Sequence, residues 1–219
     1  MNHIQKLINQ GEHQTLEFKF RIDDSRKIAR TLSAFSNSQG GTILVGVKDN
    51  GAIAGIRSDE EYYMFEAAST MFTKPVVNFK CQQHVINKKN ILEVIIPESK
   101  VKPIMALDED DRWKAFFRYN DQNFPANRIM CEVWKNEKNK EGIKIKFTDT
   151  EKILFDYLDK YNSITFLKFM KLVRLPAEKA EQIMIRFILL KIITIEFNGK
   201  NTIYKFNDLI EKGILKDYF

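Results

Sequence analysis

Cysteine is scarce in this chain. Only Cys81 and Cys131 occur among 219 residues, far apart and in neither a ligand nor a redox spacing. No Cys/His cluster exists to hold zinc, and a reduced, cytoplasmic setting is the expectation. Long apolar runs are also missing: no stretch approaches the ~20 residues needed to span a bilayer. Met1 to Gln10 lacks the apolar core of a secretion signal. A soluble chain without a membrane partner is therefore expected. There is no internal repeat and no low-complexity tract, which argues against a solenoid or a disordered linker protein.

What is present suits packed interiors. Apolar residues make up 44% of the chain, and 17 residues are Phe. A length of 219 residues fits one to two domains at roughly 100–200 residues each. Charged residues reach 29% in mixed sign, as on an ordinary solvated surface. The net charge of +6 and a pI near 9.1 tilt the chain toward polyanions.

Periodicity divides the chain into elements. Ile4, Leu7 and Ile8 sit at helical spacing before Gly11. Leu16, Phe18, Phe20 and Ile22 then alternate with Glu17, Lys19 and Arg21, predicting a half-buried strand with its charged face outward. Asp24 or Ser25 can cap a helix whose buried stripe is Ile28, Leu32 and Phe35. That helix stops at Gly40-Gly41, where left-handed backbone angles are expected. Thr42 to Val47 is too apolar for a surface strand, Lys48 to Gly51 is a turn, and Ala52 to Ile56 returns as a short strand. Glu60 to Phe72 reads as a helix, and Val76 to Ile86 with Ile91 to Ile96 as a hairpin. Trp113 to Tyr119 is an aromatic-rich strand, and a last helix starts near Pro125.

Seven charged residues crowd Lys135 to Lys146, which marks a linker. Beyond it the pattern is helix, helix, helix, hairpin: first Ile153, Leu154, Tyr157 and Leu158, then Ile164 to Leu172, then a helix opened by Pro176. Asn198-Gly199 turns the hairpin. This is a winged-helix outline. The expected fold class is α+β, a mixed or antiparallel sheet with flanking helices followed by a small winged-helix-like domain. The expected boundaries are 1–134 for the first domain, 135–147 for the charged linker and 148–219 for the second.

Three segments together carry a family resemblance: Glu12 to Lys19, Ala34 to Gly41, and Ile43 to Gly51 leading into Ala54-Gly55-Ile56. In this order and spacing the chain resembles the Schlafen AlbA-like domain, most clearly over residues 10 to 57 and more loosely from Pro97 to Arg118. The resemblance implies a nucleic-acid-binding protein, in bacterial members a DNA-binding transcriptional regulator. In some animal Schlafens the similar lobe cuts RNA with a metal-dependent acidic trio. The matching positions here are Glu12, Glu17 and Asp49, all acidic. The alternative function is therefore an endoribonuclease holding Mg2+ or Mn2+ on those three carboxylates. The leading function requires no cofactor, and a non-catalytic interaction module is a further alternative.

Each candidate also has an ordinary structural use. Glu12 can sit at a helix exit, Glu17 can pair with Lys19 or Arg21, and Asp49 suits a turn. His13, beside Glu12, is a candidate general acid or base, although a lone His in a polar segment is usually surface. The candidate nucleic-acid-binding residues are Lys19, Arg21, Arg26, Lys27, Lys48 and Arg118, with Arg30 nearby. Contacts from such cations to phosphate position a nucleic acid without reading its sequence. The partner is DNA or RNA. Gly40-Gly41 precedes a strand and lacks phosphate-loop spacing, so ATP binding is not expected. In the tail's third helix Glu178, Lys179, Glu181, Gln182 and Arg186 mix charges, which suits a major groove poorly. Dimerisation or partner docking is the other role expected of the tail, with Phe166, Phe169 and Tyr218 as candidate contacts.

Overall fold

The computed structural model describes residues 2–56, 58–138 and 148–208. Two compact units divide at Ala126 and Asn127. In the first, helix α1 (His3–Ile8) is capped by the Asn2 side chain and followed by strand β1 (Leu16–Lys19). Helix α2 (Ser25–Asn37) comes next, capped by Asp24, whose carboxylate accepts from the Arg26 and Lys27 amides. Strand β2 (Gly41–Val45) and helix α3 (Glu60–Phe72) follow, then strands β3 (Thr73–Lys74), β4 (Lys80–Ile86) and β5 (Lys89–Ile96). Strands β6 (Met105–Leu107), β7 (Trp113–Tyr119) and β8 (Gln122–Pro125) complete the unit.

Two four-stranded sheets result. One runs β1-β2-β5-β4, with β1 and β2 parallel and the other pairs antiparallel; the other runs β3-β6-β7-β8, all antiparallel. The class is α+β with mixed and antiparallel sheets, as the sequence pattern predicts. Alternation along β1 and β2 feeds two cores. Leu16, Phe18 and Leu44 pack with Ile4 and Ile8 of α1. Ile43 and Val45 point the other way, toward Ile28, Leu32 and Phe35 of α2. At about 25 cal/mol per Å2 of apolar surface removed from water, these two interiors are the main favourable term for the unit.

Helix α2 is held to the second sheet by polar groups as well as by packing. The Asn37 side chain donates to the carbonyls of Ile104 (2.8 Å) and Phe116 (2.9 Å) and accepts from the Ile104 amide (2.7 Å). Ser33 Oγ donates to the Ile104 carbonyl and accepts from the Phe116 amide. All of these groups are buried, so leaving any of them unpaired is costly. Behind α2, Gly40 takes φ +71°, as expected. Gly41 does not take a positive angle and is glycine for want of space: a Cβ there would lie 2.5 Å from the Phe35 ring.

Three sequence expectations need correction. The first strand stops at Lys19 instead of reaching Ile22, and Phe20 is 48% exposed. Ala52 to Ile56 forms only isolated bridges, Val47 with Ile53 and Ile56 with Asn90, because positive φ at Gly51 and Gly55 breaks its extension. Pro125 ends β8, and the next helix starts three residues later.

That helix, α4 (Arg128–Asn136), packs in the second unit through Ile129, although the composition boundary at 134 groups it with the first domain. The charged linker read at 135–147 thus begins inside α4 at Lys135 and Asn136, and its part from 139 lies outside the described residues. Helices α5 (Asp149–Tyr161), α6 (Phe166–Val173) and α7 (Ala177–Leu189) follow, then the antiparallel pair β9 (Ile193–Phe197) and β10 (Thr202–Phe206). A capping box of Thr148 and Glu151 starts α5. Leu154, Phe155, Phe169, Met184, Phe187 and Tyr204 form the core of the unit. Phe169 is fully buried and so unavailable as a dimer contact; Tyr218 lies outside the described residues.

Candidate nucleic-acid interface

Strand β1 and the start of α2 together shape a cleft of about 550 Å3. Its cationic lining comes from Lys19, Arg21, Lys27 and Arg30, and its acids are Glu17, Asp23 and Asp24. Two of the acids, Asp24 and Glu17, are engaged. Asp24 caps α2, so the helix start is already satisfied. Glu17, at the back of the cleft, is 5% exposed. One of its oxygens accepts from Arg118 at 2.6 Å, and the other meets the Lys19 ammonium at 2.7 Å. Two cations face that one carboxylate, while Arg30 is paired with Glu109 at 2.9 Å and Asp23 stands exposed on the same lining.

The six candidate cations divide by environment. Arg21 and Lys27 are exposed, line the cleft and have no ion-pair partner among the described residues. Lys19 lines it too, tethered by Glu17. Lys48 is exposed on the turn after β2, its ammonium 5.7 Å from the Phe20 ring centroid. Arg26 turns aside, paired with Asp111 at 2.9 Å and lying over Phe72. Arg118 must be withdrawn from the set, because its side chain is only 1% exposed. It stands over the Phe35 ring and reaches Glu17, Asn123 and the His13 carbonyl. It is an internal counterion, and no phosphate can reach it.

Glu12, Glu17 and Asp49 do not gather. Among the described residues no three His, Cys, Asp or Glu side chains are placed to hold a metal ion. Glu12 accepts the Phe18 amide at 2.8 Å, covering a donor on the outer edge of β1. Glu17 lies on a covered strand face, where the sequence pattern places it outward, and its charge is already balanced by Arg118 and Lys19. Asp49 is exposed on the turn. The three side chains do not fit the Mg2+ or Mn2+ that the nuclease alternative requires. His13 is engaged locally with Gln10 and Thr15. Thiol chemistry is also disfavoured, since burial pushes the Cys81 thiol up to about 11 and raises that of Cys131, and the thiolate is the reactive form.

The segments that carry the resemblance are neighbours in space. Strands β1 and β2 run side by side, and the Gly46 and Val47 amides both donate to the Lys19 carbonyl. A family model, described as Schlafen, AlbA_2, matches residues 12–127, more than half of the chain. The chain belongs to this Schlafen AlbA_2 family. Among solved structures, the DIP2311 protein from Corynebacterium diphtheriae is 18% identical, with a TM-score of 0.41 over 59% of this chain. The match spans only 28% of that chain. The N-terminal domain of a RecG-related protein from Nitrosomonas europaea is 17% identical, with a TM-score of 0.35, covering 52% of this chain and 82% of its own. No curated protein matches the chain. No helix among the described residues is long and apolar enough to cross a membrane.

Sequence reasoning misplaces one aromatic residue. Phe20 reads as a core position by alternation with Leu16 and Phe18, which are 1% exposed, yet it stands outside. The signal available in the sequence is its place between two cations, Lys19 and Arg21.

Proposed function

We propose that this protein binds nucleic acid through the cleft between β1 and α2, and that it serves as a DNA-binding transcriptional regulator. Membership of the Schlafen AlbA_2 family supports a nucleic-acid-binding role. The observation that carries the reading is the pair Arg21 and Lys27, exposed on one cleft and free of acidic partners among the described residues. Free cations gathered in a concavity attract phosphate, whereas cations already paired add little. Lys19 lines the same cleft but is paired with Glu17, and Lys48 is a further exposed cation on the turn after β2.

We propose that the second unit is winged-helix-like and either binds DNA weakly or joins two chains. Its helix α7 suits a groove poorly, because Glu181 is paired with Arg128 at 3.3 Å and Arg186 lies 3.8 Å from Glu151.

Filter binding of labelled DNA and RNA to the full chain across a salt series tests the reading. Affinity should fall log-linearly with salt, with a slope of about 0.7–0.9 per neutralised phosphate. Arg21→Gln with Lys27→Gln should weaken binding and flatten that slope by roughly one to two. No retention of either nucleic acid at low salt would overturn it.

A further inference from the structure

The edge of a β-sheet carries unpaired amides and carbonyls, and proteins guard such edges with charge, proline, brevity or a covering group. Most edges of the first unit are guarded. On β1 the Glu12 carboxylate covers the Phe18 amide, β3 has only two residues, and β8 ends in Pro125. Strand β4 is the exception. It ends its sheet on the side away from β1, runs for seven residues, and pairs only with β5 among the described residues. Its one permanent charge is Lys80, at its start. Asn87 and Lys88, at φ 51° and 62°, close the β4–β5 hairpin in a two-residue turn. Such a turn closes on a hydrogen-bonded pair, here Ile86 and Lys89, and the bonding alternates from there. Lys80, Gln82, His84 and Ile86 thus bond to β5, and Cys81, Gln83 and Val85 turn their amides and carbonyls outward.

Those three residues also share one face of the sheet. On that face Cys81 packs against the core under α2 and lines a hollow of about 330 Å3 with Tyr62, Glu66, Val76 and Phe79. Val85, four residues further along the edge, is 71% exposed. We propose that two copies of this chain form a homodimer through β4, antiparallel about a twofold axis at Gln83, so that their sheets become continuous. This register uses every outward group. Gln83 faces Gln83 of the second copy, Cys81 faces Val85 in both directions, and each facing pair exchanges two backbone hydrogen bonds. It also sets the exposed Val85 of each copy beside the other's hollow at Cys81. Lys88, at the hairpin tip, then comes alongside Asn78 of the second copy, which lines the same hollow as Glu66. Lys88 and Glu66 are exposed, and neither has an ion-pair partner among the described residues. Main-chain bonds supply affinity in strand addition, and side-chain pockets supply the choice of partner. An unrelated strand can use the first, but the reciprocal fit of Val85 and Lys88 belongs to a second copy. The cleft stays open in this dimer, since β1 is the opposite edge of the sheet. One strand and one hollow per copy make a small interface, so a dissociation constant in roughly the micromolar range is expected.

The test is sedimentation velocity of the full chain from about 1 to about 300 μM. Wild type should pass from one chain to two. Val85→Glu, at an exposed position, should keep the wild-type melting temperature yet raise the dissociation constant about tenfold or more, because an acid then meets the hollow that holds Glu66. Lys88→Glu and Glu66→Lys should each weaken the dimer about 2- to 5-fold, as for an exposed ion pair, and the two together should restore it. The second unit is also a candidate for joining chains, so amide exchange locates the contact. The amides of Cys81, Gln83 and Val85 should exchange more slowly at high protein concentration than at low. A single chain at the highest concentration, wild-type association of Val85→Glu, or exchange on β4 that ignores concentration would each overturn the proposal. None of these measurements involves nucleic acid, so the cleft reading stands or falls separately.

Discussion

Removing the guanidinium of Arg118 would leave the Glu17 carboxylate in a buried site with only the partly exposed Lys19 opposite. Breaking one side of a buried pair costs about 3–5 kcal/mol, because an uncompensated charge remains inside. Arg118→Leu should therefore lower the urea midpoint of the full chain by that equivalent. Pairing it with Glu17→Leu should recover much of the loss, since no orphan charge then remains. Recovery would also show that Glu17 acts as a structural acid. That Arg118 is a cation ending an aromatic strand is legible in the sequence, because charge and strand type are local properties. Its burial is not, since that depends on how β7 faces β1, more than ninety residues away in the chain. The same holds for Glu17, which alternation places outward until the opposite face is covered.

At the scale of elements, α2 decides where the cleft lies. Its start carries Lys27 and Arg30, and its end is fixed by Asn37 to Ile104, just before β6, and to Phe116 within β7. Asn37→Ala would strand the Ile104 amide and remove the Asn37 donor from the Phe116 carbonyl, at about 1–3 kcal/mol for each group left unpaired, while the Ile104 carbonyl keeps Ser33 Oγ. A loss of about 3 kcal/mol in chemical denaturation is the expected outcome; a change below 1 kcal/mol would mean that water or side-chain movement replaces those bonds. Most elements are legible from periodicity and caps: α3 spans the predicted Glu60–Phe72, and Asp24 caps α2. Errors fall where tertiary contacts end an element early. The predicted strand beyond Lys19 fails because β2 turns away there, and that early stop is what exposes Phe20.

For the whole molecule, the net charge of +6 permits binding to polyanions without locating it. Location comes from which cations are left free after pairing, and folding alone reveals that. The sequence suggests six cations; the structure keeps Lys19, Arg21 and Lys27 on the cleft and Lys48 exposed on the turn after β2, engages Arg26 and buries Arg118. Lysine footprinting of the full chain, with and without a bound oligonucleotide, asks directly where the phosphates sit. Acylation at Lys19, Lys27 and Lys48 should fall on binding, while Lys88 and Lys200, on hairpin turns of the first and second units, should keep their reactivity. Protection at Lys88 or Lys200 with unchanged labelling of Lys19 and Lys27 would place the nucleic acid elsewhere and contradict the account.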